Sequence, residues 1–220
     1  MLTPPRIHLC ENDLPTGLTF SSGMMAIDTE TTGLSLSADK LCLIQVGNGE
    51  GDAWLVKLTP PHHPDAPAIS APNLRKHLEN PRLTKLFHYG RFDIAMLQTH
   101  LHIADIGPLF CTKIASKLAR PHEGKHNLRT LVKLYVGAEL DKTEQMSDWS
   151  APELTTSQQA YAASDVLYLH ELTQKLMAEL AEKNLTHVMQ QALHFLPTRI
   201  ELDLRGYAQD TAGADLFAHH

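Results

Sequence analysis

Apolar runs dominate the first part of the chain, and helical spacings take over later. Residues 24–27 form an unbroken apolar run and predict a buried strand that ends at Asp28. Residues 41–46 predict a second strand and 53–56 a third. Gly47, Gly49 and Gly51 punctuate the gap between these two and predict a hairpin. Residues 60–72 carry five prolines and predict a loop. A helical pattern runs over 73–80, a short apolar run at 83–88 predicts a fourth strand, and 92–100 is helical again. Beyond Pro108 helices are expected near 112–119 and 127–135. A loop through Trp149 and Pro152 leads to a long helix over about 157–182, capped by Thr155 or Thr156. Residues 1–23 read as an irregular or short-strand arm. Strands first and helices later predict an α/β chain, a mixed sheet covered by helices.

Composition changes this picture little. An apolar share of 43% and a charged share of 20% are ordinary for a water-soluble domain, and 220 residues can bury a substantial core. No apolar run approaches the roughly 20 residues of a membrane span, and the N-terminus lacks the layout of a signal peptide. Cys10, Cys42 and Cys111 are scattered, without zinc-ligand spacing, so a reducing cytoplasm is expected. A net charge of −6 argues against broad duplex binding driven by counterion release, but leaves a nucleic-acid substrate open. Lys113, Lys117, Arg120, Lys125 and Arg129 concentrate positive charge locally, either as a solvated helix face or as phosphate contacts.

The chemistry gathers at carboxylates. Asp28 and Glu30 stand at i and i+2 where the first strand ends, so both point to one face. Two like charges on one face repel unless a cation lies between them, and oxygen ligands suit a hard divalent ion. The other reading is a solvated strand end. Asp93 opens a helix, where it is either a further ligand or a first-turn aspartate favoured by the helix dipole. Tyr161 and Asp165, at i and i+4, share a helical face, as a hydrogen-bonded structural pair or as a phenol that orients water beside a carboxylate.

Taken together, Asp28 and Glu30, then Asp93, then Tyr161 with Asp165, resemble in order and context the three motifs of the DEDD exonucleases. Tyr161 four residues before the last aspartate resembles the tyrosine subtype, since the histidine subtype places His where this chain has Ala160. Residues 142–150, centred on Ser147, Asp148 and Trp149, followed by Leu154 and Gln158, resemble the ribonuclease D family. The resemblance spans about residues 20–180. Longer members add helical nucleic-acid-binding domains, for which 220 residues leave no room. Residues 110–118, 201–204 and 217–220 resemble the stand-alone nanoRNase C branch. Tyr89 and Gly90 depart from the family's usual second motif without touching its acid.

This resemblance implies a single exonuclease domain over 1–220, with the motifs in about 20–180 and a helical or tail segment after them. It implies a ribonuclease-H-like, mixed five-stranded sheet flanked by helices. Two divalent metal ions, Mg²⁺ or Mn²⁺, are implied, with Asp28 shared by both, Glu30 and Asp165 on the first, and Asp93 supporting the second. Tyr161 orients the attacking water. Thr29, Leu34, His88, Phe92, Lys113, Lys117 and Arg129 are the implied substrate contacts, Leu34 as a wedge between terminal bases or as ordinary packing. The implied activity is 3′–5′ hydrolysis of short single-stranded RNA, dinucleotides included, to nucleoside 5′-monophosphates, by a ring-like homo-oligomer of as many as eight copies. Trimming of tRNA 3′ ends and single-stranded DNA exonuclease activity use the same acids. A non-catalytic RNA-binding module is expected to have lost one or more of them, and none is lost.

Overall fold

The computed structural model describes residues 5–141 and 143–207. Lys142 and the tail segment 217–220, both part of the resemblance, lie outside them. Six strands form one sheet: β1 (Arg6–Glu11), β2 (Met24–Thr31), β3 (Leu41–Gly47), β4 (Asp52–His62), β5 (Thr84–Phe87) and β6 (Leu109–Cys111), in the order β1-β4-β3-β2-β5-β6. β3 runs antiparallel to both its neighbours, and the remaining pairs are parallel. The helices are α1 (Pro72–Leu78), α2 (Arg91–Leu101), α3 (Thr112–Ala119), α4 (Leu128–Tyr135), α5 (Thr156–Leu167), α6 (Leu169–Glu182) and α7 (Thr186–Leu204). None among the described residues is long and apolar enough to cross a membrane.

Period-two alternation along β2 divides the core. Met25 and Ile27 pack on one face with Leu74, Ile94, Leu97 and Leu101 of α1 and α2, while Ala26 packs on the other with Ala115, Ala163, Val166 and Leu172 of α3, α5 and α6. α7 joins the two layers past β6, placing Met189 in one cluster and Leu196 and Ile200 in the other. Every residue of β3 is buried, as befits a strand covered on both sides.

Three expectations need correction. The sheet has six strands, not five: β1, inside the expected irregular or short-strand arm, pairs along β4 at one edge, and β6 adds a strand at the other. β6 is only three residues long, too short for a periodic signal. β4 continues through Pro60 to His62, within the expected loop, where its register against β3 is irregular; proline is tolerated at such irregular strand positions. The long helix is two, meeting at Tyr168. No glycine or proline marks that break. It coincides with His170, which is buried at the start of α6 and whose ring nitrogen lies 3.1 Å from the Met24 carbonyl oxygen.

Candidate active site

β2 delivers Asp28 and Glu30 to the face covered by α5. That helix starts firmly: Thr155 accepts a hydrogen bond from the Gln158 backbone N–H, and Gln158 accepts one from the Thr155 backbone N–H. α5 lies so close to β3 that a Cβ on Gly47 would stand 3.0 Å from the Val166 carbonyl oxygen. The face thus pressed against the sheet carries Tyr161 and Asp165. One carboxylate oxygen each from Asp28, Glu30 and Asp165 lies within 4.8 Å of the others.

Asp93 reaches the cluster from the opposite layer. It sits in the first turn of α2, after the corner at Gly90, where any Cβ would run into the Phe87 side chain. Gly90 therefore has a steric reason, and the preceding Tyr89 adopts a left-handed φ of 64°. Asp93 is held by Thr29, whose backbone N–H donates at 3.1 Å and whose hydroxyl donates at 2.6 Å to the same carboxylate oxygen. Thr29, read from the sequence as a substrate contact, points to the α2 side of the sheet because it alternates with Asp28 and Glu30. It is buried, and its hydroxyl is engaged by Asp93.

These acids line a cleft of about 1280 Å³ together with Leu34, His88, Phe92, Lys113, Arg129 and Tyr161. Leu34 is 85% exposed, so it packs against little among the described residues. Its loop is set by Asp39, which accepts from the Ser35 N–H at 2.7 Å and the Thr32 hydroxyl at 2.8 Å. The His88 ring lies 2.9 Å from the Thr112 hydroxyl, and burial lowers its pKa to about 3, leaving it neutral. The Lys113 ammonium stands 3.5 Å from the centre of the Tyr89 ring. The cations concentrated in the sequence separate in space. Lys113 and Arg129 face the cleft, whereas Lys117 is exposed and not among its lining residues. Arg120 pairs with Glu123 at 2.7 Å in a separate depression.

Several supporting residues had no role assigned from the sequence. Lys57 is buried on β4 and donates to the Trp149 carbonyl at 2.6 Å, while Gln158 donates to the Asp148 carbonyl at 3.2 Å. The Trp149 ring then lies 5.9 Å from that of Tyr161, so the Ser-Asp-Trp segment backs the tyrosine. Arg91, beside Asp93 in sequence, pairs with the buried Asp203 and ties the end of α7 to the rim of the cleft.

Electrostatically the site is a frustrated group of acids. Burial raises the Asp28 carboxyl well above its ordinary range, and Asp93, Asp165 and Glu30 push it further. Burial and then Asp165 and Asp93 lift Glu30 to about 9. Burial lifts Asp93 to about 6 even though the Thr29 hydrogen bonds pull the other way. The Tyr161 phenol is also raised, by burial and then by Asp165, Glu30 and Asp28, so it keeps its proton. A partly buried set of oxygen donors in which Asp28 and Glu30 are crowded by the neighbouring carboxylates fits a hard divalent cation.

This geometry predicts a pH-dependent stability. Groups whose pKa is higher in the fold than in the unfolded chain favour the fold fully below the ordinary carboxylate range. That contribution is lost as pH rises through the folded values, near 6 for Asp93 and near 9 for Glu30. In calorimetry with EDTA, Tm is expected to fall between these pH values, to fall less with saturating Mg²⁺, and to fall less in Glu30→Gln. Equal slopes with and without the cation would mean that the cluster does not bind it.

Comparison with known proteins matches residues 17–181 to a family described as 3′-5′ exonuclease. The chain is 31% identical over 172 residues to ribonuclease D of Jannaschia sp. (strain CCS1), covering 77% of this chain and 42% of that protein. It thus spans about two fifths of the length of that relative. A structure of Brucella melitensis NrnC bound to pGG superposes with a TM-score of 0.88 at 40% identity, covering 98% of this chain and 100% of that one. A structure of the same Brucella protein with bound Mg²⁺ superposes at 0.86, again at 40% identity and with the same coverage.

Proposed function

The chain belongs to the 3′-5′ exonuclease family, and from that premise we propose that it shortens single-stranded RNA from the 3′ end, with very short RNAs, dinucleotides included, as its substrates. The observation that carries the reading is the convergence of Asp28, Glu30 and Asp165 within 4.8 Å beneath Tyr161, at the floor of a cleft with cations on its wall. The choice of short RNA is supported by the likeness to a Brucella protein bound to pGG, a dinucleotide.

Asp28, Glu30, Asp93 and Asp165 would hold two divalent ions, Mg²⁺ or Mn²⁺, with Asp28 shared. When bound, these ions activate the attacking water and stabilise the negative charge that builds on the leaving oxygen. The chain's own groups do the rest. Tyr161, still protonated, holds the water in line by hydrogen bonding, and the Trp149 ring keeps the phenol in place. A bond forms from the water oxygen to the terminal phosphorus. The bond from that phosphorus to the 3′ oxygen of the preceding nucleotide breaks, and that oxygen takes up a proton. Lys113 and Arg129 meet phosphate oxygens, the neutral His88 and Phe92 line the path of the terminal nucleotide, and Leu34 presses between bases. Lys117, outside the cleft, would meet RNA only beyond it. In the same proposal the protein works in the cytoplasm as a ring-like homo-oligomer of as many as eight copies.

The test is a time course on 5′-labelled RNAs of two to twenty nucleotides, with Mg²⁺, Mn²⁺ or EDTA, beside a matched DNA series. Dinucleotides are expected to be hydrolysed at least as efficiently as twenty-mers, with release of nucleoside 5′-monophosphates and none in EDTA. Processive decay of long RNA that leaves dinucleotides intact would overturn the length selection and favour trimming of structured RNA ends. Preference for the DNA series would overturn the RNA assignment.

A further inference from the structure

Gln45 is a wholly hidden polar side chain beside the acids. It is fully buried in the middle of β3, and neither its amide nitrogen nor its amide oxygen has a hydrogen-bond partner among the described residues. Burying an amide with both ends unpaired destabilises a fold, and an apolar side chain of equal length would fill the same space without that penalty. Gln45 therefore calls for a partner that the described residues, as they stand without a bound cation, do not supply.

Register says where that partner lies. Gln45 is the direct cross-strand neighbour of Asp28 on the antiparallel β2–β3 pair. Facing residues of such a pair point to the same side of the sheet, with Cβ atoms about 4.5–5.5 Å apart. Its other cross-strand neighbour is Leu55 of β4, and two residues further along its own strand Gly47 touches Val166 of α5. Gln45 is thus enclosed in the layer between the sheet and α5, beside the central carboxylate of the cluster. Ligand carboxylates are themselves held by hydrogen bonds from a surrounding shell, which sets their orientation and their affinity for metal. Asp93 is held in this way by Thr29. The amide placed to do the same for Asp28 is Gln45.

We infer that Gln45 is a positioning residue of the site, whose side-chain N–H donates to the Asp28 carboxylate when that carboxylate holds a divalent cation. Gln45 touches neither substrate nor cation and acts only through Asp28. The inference rests on the metal-dependent reading above.

The experiment measures Mn²⁺ binding by electron paramagnetic resonance on the intact protein, on Gln45→Met and on Leu55→Ala, with melting curves for each. Methionine keeps the length and removes the amide, while Leu55→Ala disturbs packing on the opposite side of Gln45. Gln45→Met is expected to weaken Mn²⁺ binding about 10- to 100-fold, while its metal-free Tm is unchanged or higher. Leu55→Ala is expected to lower Tm and keep Mn²⁺ affinity within about twofold, as for an apolar residue outside the ligand shell. Unchanged affinity in Gln45→Met, or equal weakening in both variants, would overturn the role of the amide. Absence of Mn²⁺ binding by the unaltered protein would instead remove the metal-dependent reading itself. A variant-free check is the ¹⁵N side-chain amide resonance of Gln45 during Mg²⁺ titration. It should shift with saturation of the site, and a resonance that stays in place counts against the hydrogen bond.

Discussion

Asp28→Asn is expected to abolish hydrolysis while the protein stays folded. Asp28 is the acid on which the other three converge, and the charges that press on it most are Asp93, Asp165 and Glu30. An amide in its place would not supply the negative charge that two divalent cations sharing this ligand would need. Bound metal ions stabilise a phosphoryl-transfer transition state by several kcal/mol, and each ~1.4 kcal/mol is a factor of ten, so a loss of at least about 10³-fold in kcat/KM is expected. The same change removes a group that resists ionisation. In EDTA the variant should therefore melt no lower than the parent near pH 6 and higher as pH approaches 9, the span over which Asp93 and Glu30 lose their protons. Single-turnover assays and calorimetry on one preparation decide this. A folded Asp28→Asn protein with near-parental turnover would remove Asp28 from the centre of the mechanism.

Tyr161→Phe comes second in expected effect. The ring, its contact with Trp149 and its place on α5 all remain, and only the hydroxyl above the acids is lost. Because that phenol is held above its ordinary pKa by burial and by the carboxylates, the contribution expected of it is a hydrogen bond to water, not removal of a proton. A fall of about 10²-fold in kcat, with KM within about twofold, is the signature of a group acting mainly in the transition state. The split between kcat and KM is measured on a dinucleotide and on a longer RNA. A raised KM at unchanged kcat would reassign Tyr161 to substrate binding. Unchanged values for both would make it a packing partner of Trp149.

Much of the site is legible from local periodicity. Asp28 and Glu30 share a face because strand side chains alternate, and Tyr161 shares one with Asp165 because helix turns repeat. The hairpin between β3 and β4, the helix at Thr112–Ala119 and the cap at Thr155 follow from equally local signals. The sequence alone thus determined where the acids stand, which of them travel in pairs and which family's motif order they follow. Only the tertiary structure decided which layers meet over them. It brings Asp93 to Thr29 across 64 positions of chain, backs Tyr161 with Trp149 through Lys57, and leaves Lys113 and Arg129 on the cleft wall while Lys117 and Arg120 fall outside it. It breaks the last long helix at Tyr168 without a breaking residue, and it encloses Gln45 beside Asp28 in a strand that reads simply as apolar. The physical reason is one of range. Backbone geometry imposes its periods within a few residues, whereas a contact between distant segments exists only once whole faces have packed, and its identity depends on every side chain in the layer between them.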